Sequence, residues 1–167
     1  MKIKITILSV GLFINLLNAQ TSGHQLNVGI DTYSGDINSD FGVNVGYSYE
    51  WGEECKFALG VNVTSADGSN DTGDAISFNA KLGKEIFSNT TLYGVIGLTG
   101  MGTGLKNSSN KDVSAGGINY GLLVNYSLST SYDLQFGYKG YDLEYKLDGK
   151  NEDIHINSAS FGLVYKF

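Results

Sequence analysis

Residues 41–51, FGVNVGYSYEW, alternate without a break. Phe41, Val43, Val45, Tyr47, Tyr49 and Trp51 share one parity, and Gly42, Asn44, Gly46, Ser48 and Glu50 share the other. A period of two belongs to a β-strand, whose successive side chains point to opposite faces; a helix would scatter the same apolar residues around its cylinder. Comparable segments recur at residues 24–34, 40–51, 55–66, 75–87, 91–101, 115–128, 131–147 and 154–167. The connections differ in length. Those around Ile37, DGSNDTGD, GTGLKNSSNKDVS and DGKNED are longer and polar, whereas GEE, SNT and STS are minimal. Short turns therefore fall at one end of the molecule, together with both termini, and long loops at the other. The order predicts an up-and-down meander of eight antiparallel strands.

The two parities decide which way the sheet curls. One face carries Leu26, Val28, Ile30, the Phe41 series, Phe57, Leu59, Phe78, Leu82, Leu122, Phe136 and Tyr138 and is almost purely apolar. The other carries asparagines, glycines and the charges Asp31, Glu50, Lys56, Lys81, Glu85, Asp133, Lys139 and Lys166. A barrel of eight strands has an interior just wide enough for side chains. Glycine and small polar residues fit that inner wall; a face of Phe, Tyr and Leu would overfill it. The apolar face must then meet lipid, and a closed barrel leaves no unpaired edge in hydrocarbon. Strands of about 9 to 11 residues suffice to cross when tilted. Tyr47, Tyr49, Trp51, Tyr126, Tyr132, Tyr165 and Phe167 gather near the short-turn ends, as an interfacial aromatic girdle requires.

Composition agrees. The 167 residues include 23 glycines, 11 tyrosines and 8 phenylalanines, with no proline and no arginine. The opening MKIKITILSVGLFINLLNAQ has Lys2 and Lys4, an apolar run and then Asn18-Ala19, the layout of a secretory signal peptide. Its apolar run is short for a membrane span, which takes about 20 residues. Cleavage is expected after Ala19, giving a signal peptide over residues 1–19 and a barrel over 20–167. Without the two leading lysines, nine remain against 17 acidic residues, a net charge of about −8. Such a surface repels phosphate backbones, so nucleic acid is not an expected partner. The single cysteine, Cys55, has no partner for an intrachain disulfide.

With these features the sequence resembles the small eight-stranded outer-membrane barrels of Gram-negative bacteria: the transmembrane domain of OmpA and its OmpX-like and opacity-type relatives. The ending SASFGLVYKF is the most specific element. Phe161, Leu163, Tyr165 and Phe167 match the terminal signal by which members of the family are recognised for outer-membrane insertion. The resemblance implies a monomer whose partners are outer-membrane lipid, lipopolysaccharide and the assembly machinery, with an extracellular ligand or host surface as a further partner. Because the chain stops at Phe167, no peptidoglycan-binding domain is expected after the barrel.

Function is less constrained. Both signs of charge interleave across the inward face, and a buried charge without a partner is expensive. They read first as a static, paired core and second as a gated, low-conductance path; eight strands exclude a wide pore. After Tyr138 the apolar parity flips, so that Tyr141, Leu143, Tyr145 and Leu147 take the inward phase, joined by Ile154 and Ile156. A two-stranded ribbon with its apolar face over the barrel mouth accounts for this, with Tyr33 and Met101 placed to join the cluster. A β-bulge near Gly140 that resets the register is the alternative. Catalysis has only His24 and His155 to draw on as imidazoles. Lipid A deacylases place a Ser two residues after their His, but Asn157 stands there. The acidic loops depart from the calcium-loop spacing. No catalytic residue, metal site or cofactor is assigned. The expectation is a structural and adhesion-type surface protein acting through its extracellular loops, with a small channel as the alternative and a lipid A modifying enzyme behind both.

Overall fold

The computed structural model describes residues 23–36, 40–66, 73–106 and 112–167. The expected signal peptide and residues 67–72 of the DGSNDTGD connection lie outside the described residues. Eight strands follow one another: β1 (His24–Gly35), β2 (Asp40–Trp51), β3 (Cys55–Ala66), β4 (Ala75–Phe87), β5 (Thr90–Lys106), β6 (Asp112–Ser127), β7 (Tyr132–Leu147) and β8 (Lys150–Lys166). Each pairs antiparallel with its sequence neighbours, and β1 pairs with β8 from Gln25↔Lys166 to Gly35↔Ile156. The result is a closed barrel.

Parity fixes the faces. Outward residues such as Leu98, Phe78 and Leu59 are 58 to 64% exposed, whereas inward Asn119 is 1% exposed. This is the inversion a lipid solvent demands. Glycines make the small bore workable. A Cβ on Gly97 would collide with the Phe78 carbonyl oxygen and crowd Asn79 and Asn119, the inward residues that its two pairing partners on β4 and β6 carry.

The wall is lopsided. β1 to β3 have 12 residues and β4 has 13, but β5 to β8 have 16 or 17. Spanning needs about 9 to 11, so the β5–β8 side stands clear of the membrane at the long-loop end. Two sequence boundaries fall short there. β5 continues past Met101 to Lys106, which pairs with Asp112, because backbone hydrogen bonds sustain the ladder where side chains are small. The DGKNED stretch is also no long loop. Asp148 (φ 48°) and Gly149 (φ 87°) form a tight two-residue turn, and β8 starts at once with Lys150 paired to Leu147. Positive φ at both central positions is the type I′ hairpin geometry that Asp-Gly favours.

β7 and β8 pair without a register shift from Tyr132↔Tyr165 through Gly140↔Asn157 to the turn, so no bulge at Gly140 accounts for the parity flip. The apolar side chains after Tyr138 face inward. Tyr141, Leu143, Ile154 and Ile156 pack with Tyr33, Ala75, Met101 and Ala115, with Tyr145 against them but Leu147 outside the cluster, so the cluster draws on β1, β4, β5 and β6 as well and fills the upper bore rather than only lying over the mouth.

Candidate functional site

The candidate site is the lumen, which has three levels. At the long-loop end Tyr33, Met101, Tyr141, Leu143, Ile154 and Ile156 form a dry plug, and Leu143 and Ile156 are each 1% exposed. Leu143↔Ile154 and Tyr141↔Ile156 are adjacent cross-strand pairs, so the β7–β8 ladder sets the plug's shape.

At the short-turn end the charges are paired. Lys166 donates to Asp133 at 2.7 Å, and Lys56 lies 3.7 Å from Glu50. The Tyr93 hydroxyl also donates to Glu50, at 2.6 Å. Glu85 stands exposed near the β4 bulge. Tyr93, Val95 and Leu123 make a second, smaller apolar cluster just inside this level. Sequence reasoning missed it because β5 carries apolar residues on both parities; the signal was Gly83, which pairs with Tyr93 and leaves room for its ring.

Between the two apolar levels lies a polar layer. Asp31 accepts from Tyr33 at 3.3 Å, Asn119 donates to Thr99 at 2.8 Å, and Ser77 and Thr99 share a bond of 2.8 Å. Lys81 donates to Ser48 at 3.3 Å. Lys139 faces Asp31 electrostatically but has no hydrogen bond or ion pair to the described residues.

The outer surface holds both histidines. His24 bonds the Tyr47 hydroxyl and stacks on Phe167 with centroids 5.8 Å apart. Phe167 in turn stacks on Tyr165 at 5.4 Å, which meets Tyr132 at 5.1 Å. On the other side His24 touches Tyr49, which continues through Trp51 to Phe57. The aromatic belt thus runs unbroken across the β1–β8 seam. Its terminal link is also backbone, since the Phe167 N–H donates to the His24 carbonyl at 3.0 Å. Phe161 meets Phe136 at 5.0 Å on the same outer face, and Leu163 is 42% exposed there.

His155 lies at the long-loop end. Its Nδ1 is 2.8 Å from Asp142, its N–H donates to the Asp36 carboxylate at 2.9 Å, and the Asp36 N–H returns the bond to its carbonyl, also at 2.9 Å. The hydrogen bond to Asp142 raises the imidazole pKa above its ordinary value, against desolvation and with help from the charges of Asp142, Asp36 and Asp153. Among the described residues no hydroxyl or thiol is hydrogen-bonded to His155.

The model of the family described as "Outer membrane protein beta-barrel domain" matches residues 7–167. No curated protein sequence matches. Among solved structures, neisserial surface protein A superposes with a TM-score of 0.58 at 18% identity, covering 86% of this chain and 96% of that one. Ail, the attachment invasion locus protein of Yersinia pestis, in complex with the heparin analogue sucrose octasulfate, gives 0.55 at 17% identity, over 88% and 100%. The N-terminal β-barrel domain of Pseudomonas aeruginosa OprF gives 0.60 at 12% identity, again over 88% and 100%. At these identities the likeness is one of fold. With the family match over nearly the whole length and the inverted barrel on the page, the chain belongs to the outer membrane protein β-barrel family and resides in the outer membrane of a Gram-negative bacterium.

Proposed function

We propose that this protein is a closed-lumen surface protein: a structural barrel, monomeric in lipid and lipopolysaccharide, that presents its raised β5–β8 rim to an extracellular ligand or host surface. The observation that carries the reading is the apolar plug. Its residues are buried against one another across six strands, and an aqueous path past Leu143 and Ile156 would require unpacking them. The reading needs no catalytic step and no cofactor. The partner's chemistry follows from charge. Asp36, Asp142, Glu144 and Asp153 crowd the outer face of the rim, with Asp142↔His155 and Glu144↔Asp153 as cross-strand neighbours. Ail was solved with a sulfated heparin analogue; the acidic rim here favours a cationic partner instead.

Planar-bilayer recording tests the reading. Wild-type protein folded in detergent should give no discrete current steps, while Leu143→Gly combined with Tyr141→Ala should open them. Regular steps from the wild type would hand the function to the alternative, a small low-conductance channel lined by Lys81 and Lys139. Expressing cells should also adhere to polylysine more than to heparin, and lose that preference with Asp142→Asn, Glu144→Gln and Asp153→Asn together.

A further inference from the structure

At the short-turn end, apolar side chains continue beyond the aromatic belt on one side of the barrel. Ile86 and Phe87, at the end of β4, and Leu128, just past β6, are 46, 73 and 55% exposed. β4 arrives there by an irregular step. Glu85 is still opposite Thr91, but the ladder then slips by one, so that Phe87 rather than Ile86 is opposite Thr90. Opposed residues of an antiparallel pair share a face. Thr90 is in turn opposite Tyr126 and Tyr126 opposite Leu134, and Tyr126 is an outward, half-exposed ring. The slip therefore turns Phe87, which has the lumen's parity down to Glu85, onto the outer wall. Glu85 itself, opposite the buried Thr91, keeps to the bore. Leu128 reaches the same wall through its N–H, which donates to the carbonyl of outward-facing Tyr132 at 2.9 Å.

The turns that carry these side chains are tied together, since the Ser127 N–H donates to the Asn89 carbonyl at 2.7 Å. Their tips, Ser88-Asn89 and Ser129-Thr130-Ser131, carry no charge. The β2–β3 turn differs: Gly52-Glu53-Glu54 is acidic and exposed, and its carboxylates hold it in water. On the outer face of β4, Lys84 stands two residues before Ile86, exposed and with no hydrogen bond or ion pair to the described residues. Its long stem lets the ammonium reach towards the turns.

We propose that the β4–β5 and β6–β7 turns form a one-sided foot embedded in the inner-leaflet headgroup layer, where Ile86, Phe87 and Leu128 contact phospholipid and the Lys84 ammonium donates to its phosphate. Short turns of such barrels are periplasmic, which places the foot in that leaflet. Continuity with the belt favours lipid as the occupant, because Phe87 lies in one pairing row with Tyr126 and Leu134. So does the chemistry: a free cation beside exposed apolar groups matches a phosphate above acyl chains. The acidic β2–β3 turn stays in the periplasm, so the barrel is anchored on one side.

The test uses the mature protein refolded in vesicles of phosphatidylethanolamine and phosphatidylglycerol. Trp51 is the only tryptophan, so a Trp51→Phe background reports single probes placed by Phe87→Trp, Leu128→Trp and Glu54→Trp. The first two should emit at shorter wavelength than the third, be quenched by nitroxide attached to the lipid headgroup and resist acrylamide; Glu54→Trp should behave oppositely. If the probe at 87 or at 128 is quenched by acrylamide as readily as the one at 54, the foot is not embedded, and the patch is left to a periplasmic protein. Should the variants fail to fold, the wild-type amide protons of Asn89 and Thr130 decide. Stronger relaxation by the headgroup nitroxide than by a soluble gadolinium chelate supports the foot, and the reverse overturns it.

Discussion

The two ends of the lumen solve the same packing problem in opposite ways. At the long-loop end, the extracellular side in barrels whose short turns are periplasmic, the inward positions hold Leu143, Ile154, Ile156 and Met101, matched in shape and dry. At the periplasmic end they hold Glu50, Lys56, Asp133 and Lys166, matched in charge and partly wet; the Lys166 side chain keeps 26% of its surface. The plug's stability comes from contacts that vanish if a side chain is shortened. An ion pair at a solvated rim contributes little net energy, because water compensates for its loss. The difference teaches where the barrel can change. Its outer end is a seal, and its inner end is a tolerant mouth.

The largest effect should come from breaking the seal. Leu143→Ala removes a fully buried side chain from a closed cluster, and such changes cost about 2 to 5 kcal/mol. Lys56→Met at the other end, removing one member of a pair in which both side chains stay partly exposed, should cost about 1 kcal/mol or less. Urea unfolding of both variants in lipid vesicles measures the contrast. Equal losses would mean that the periplasmic charges form a tight buried network and that the two ends are built alike.

How far the sequence revealed this contrast depended on the level. Strand number, faces and closure were legible because period-two alternation survives wherever one face meets lipid. The plug was partly legible: Tyr33, Met101, Tyr141, Leu143, Ile154 and Ile156 announce themselves by taking the wrong parity, whereas Ala75 and Ala115 do not, since alanine fits either face. The second floor at Tyr93 and Leu123 was hidden by apolar residues on both parities of β5. Partner choice among the charges was not legible at all. Lys166 reaches Asp133 rather than Glu50 because of barrel register, which no local pattern encodes. The outer extension of β5 and β6 was missed for a related reason. Gly100, Gly102, Ser114 and Gly116 carry neither lipid nor water signal, and only the ladder between them keeps the strands going.

The seam beside the periplasmic mouth gives the next effect. Deleting Phe167 removes one ring stacked on both His24 and Tyr165 and a backbone bond to the His24 carbonyl. Each aromatic pair is worth roughly 0.5 to 1.5 kcal/mol beyond its buried area, so the folded barrel should weaken by a modest amount. If Phe161, Leu163, Tyr165 and Phe167 also serve as the assembly signal, surface yield should drop far more than that loss of stability explains. Comparing yield in cells with urea stability of the refolded variant separates the two. A yield that merely tracks stability would make the belt a structural clasp and nothing else.

The smallest effect sits one residue from the largest. Asp142 and Leu143 are consecutive on β7, one facing out towards His155 and the other sealed in the plug. Because the folded protein raises the His155 pKa, through its bond to Asp142 above all, protonation of that imidazole favours the folded state. The contribution is fully present below the unfolded imidazole value, about 6.5, and fades as pH rises through the higher folded value. Being fully solvated, it should also shrink with salt. Proton NMR of the folded protein in micelles should show His155 titrating above the ordinary imidazole range, and Asp142→Asn should lower that midpoint while leaving the plug resonances of Leu143 and Ile156 in place. If the plug resonances move with the titration, the rim and the seal are coupled, and the outer end of this barrel is a pH-responsive gate rather than a fixed stopper.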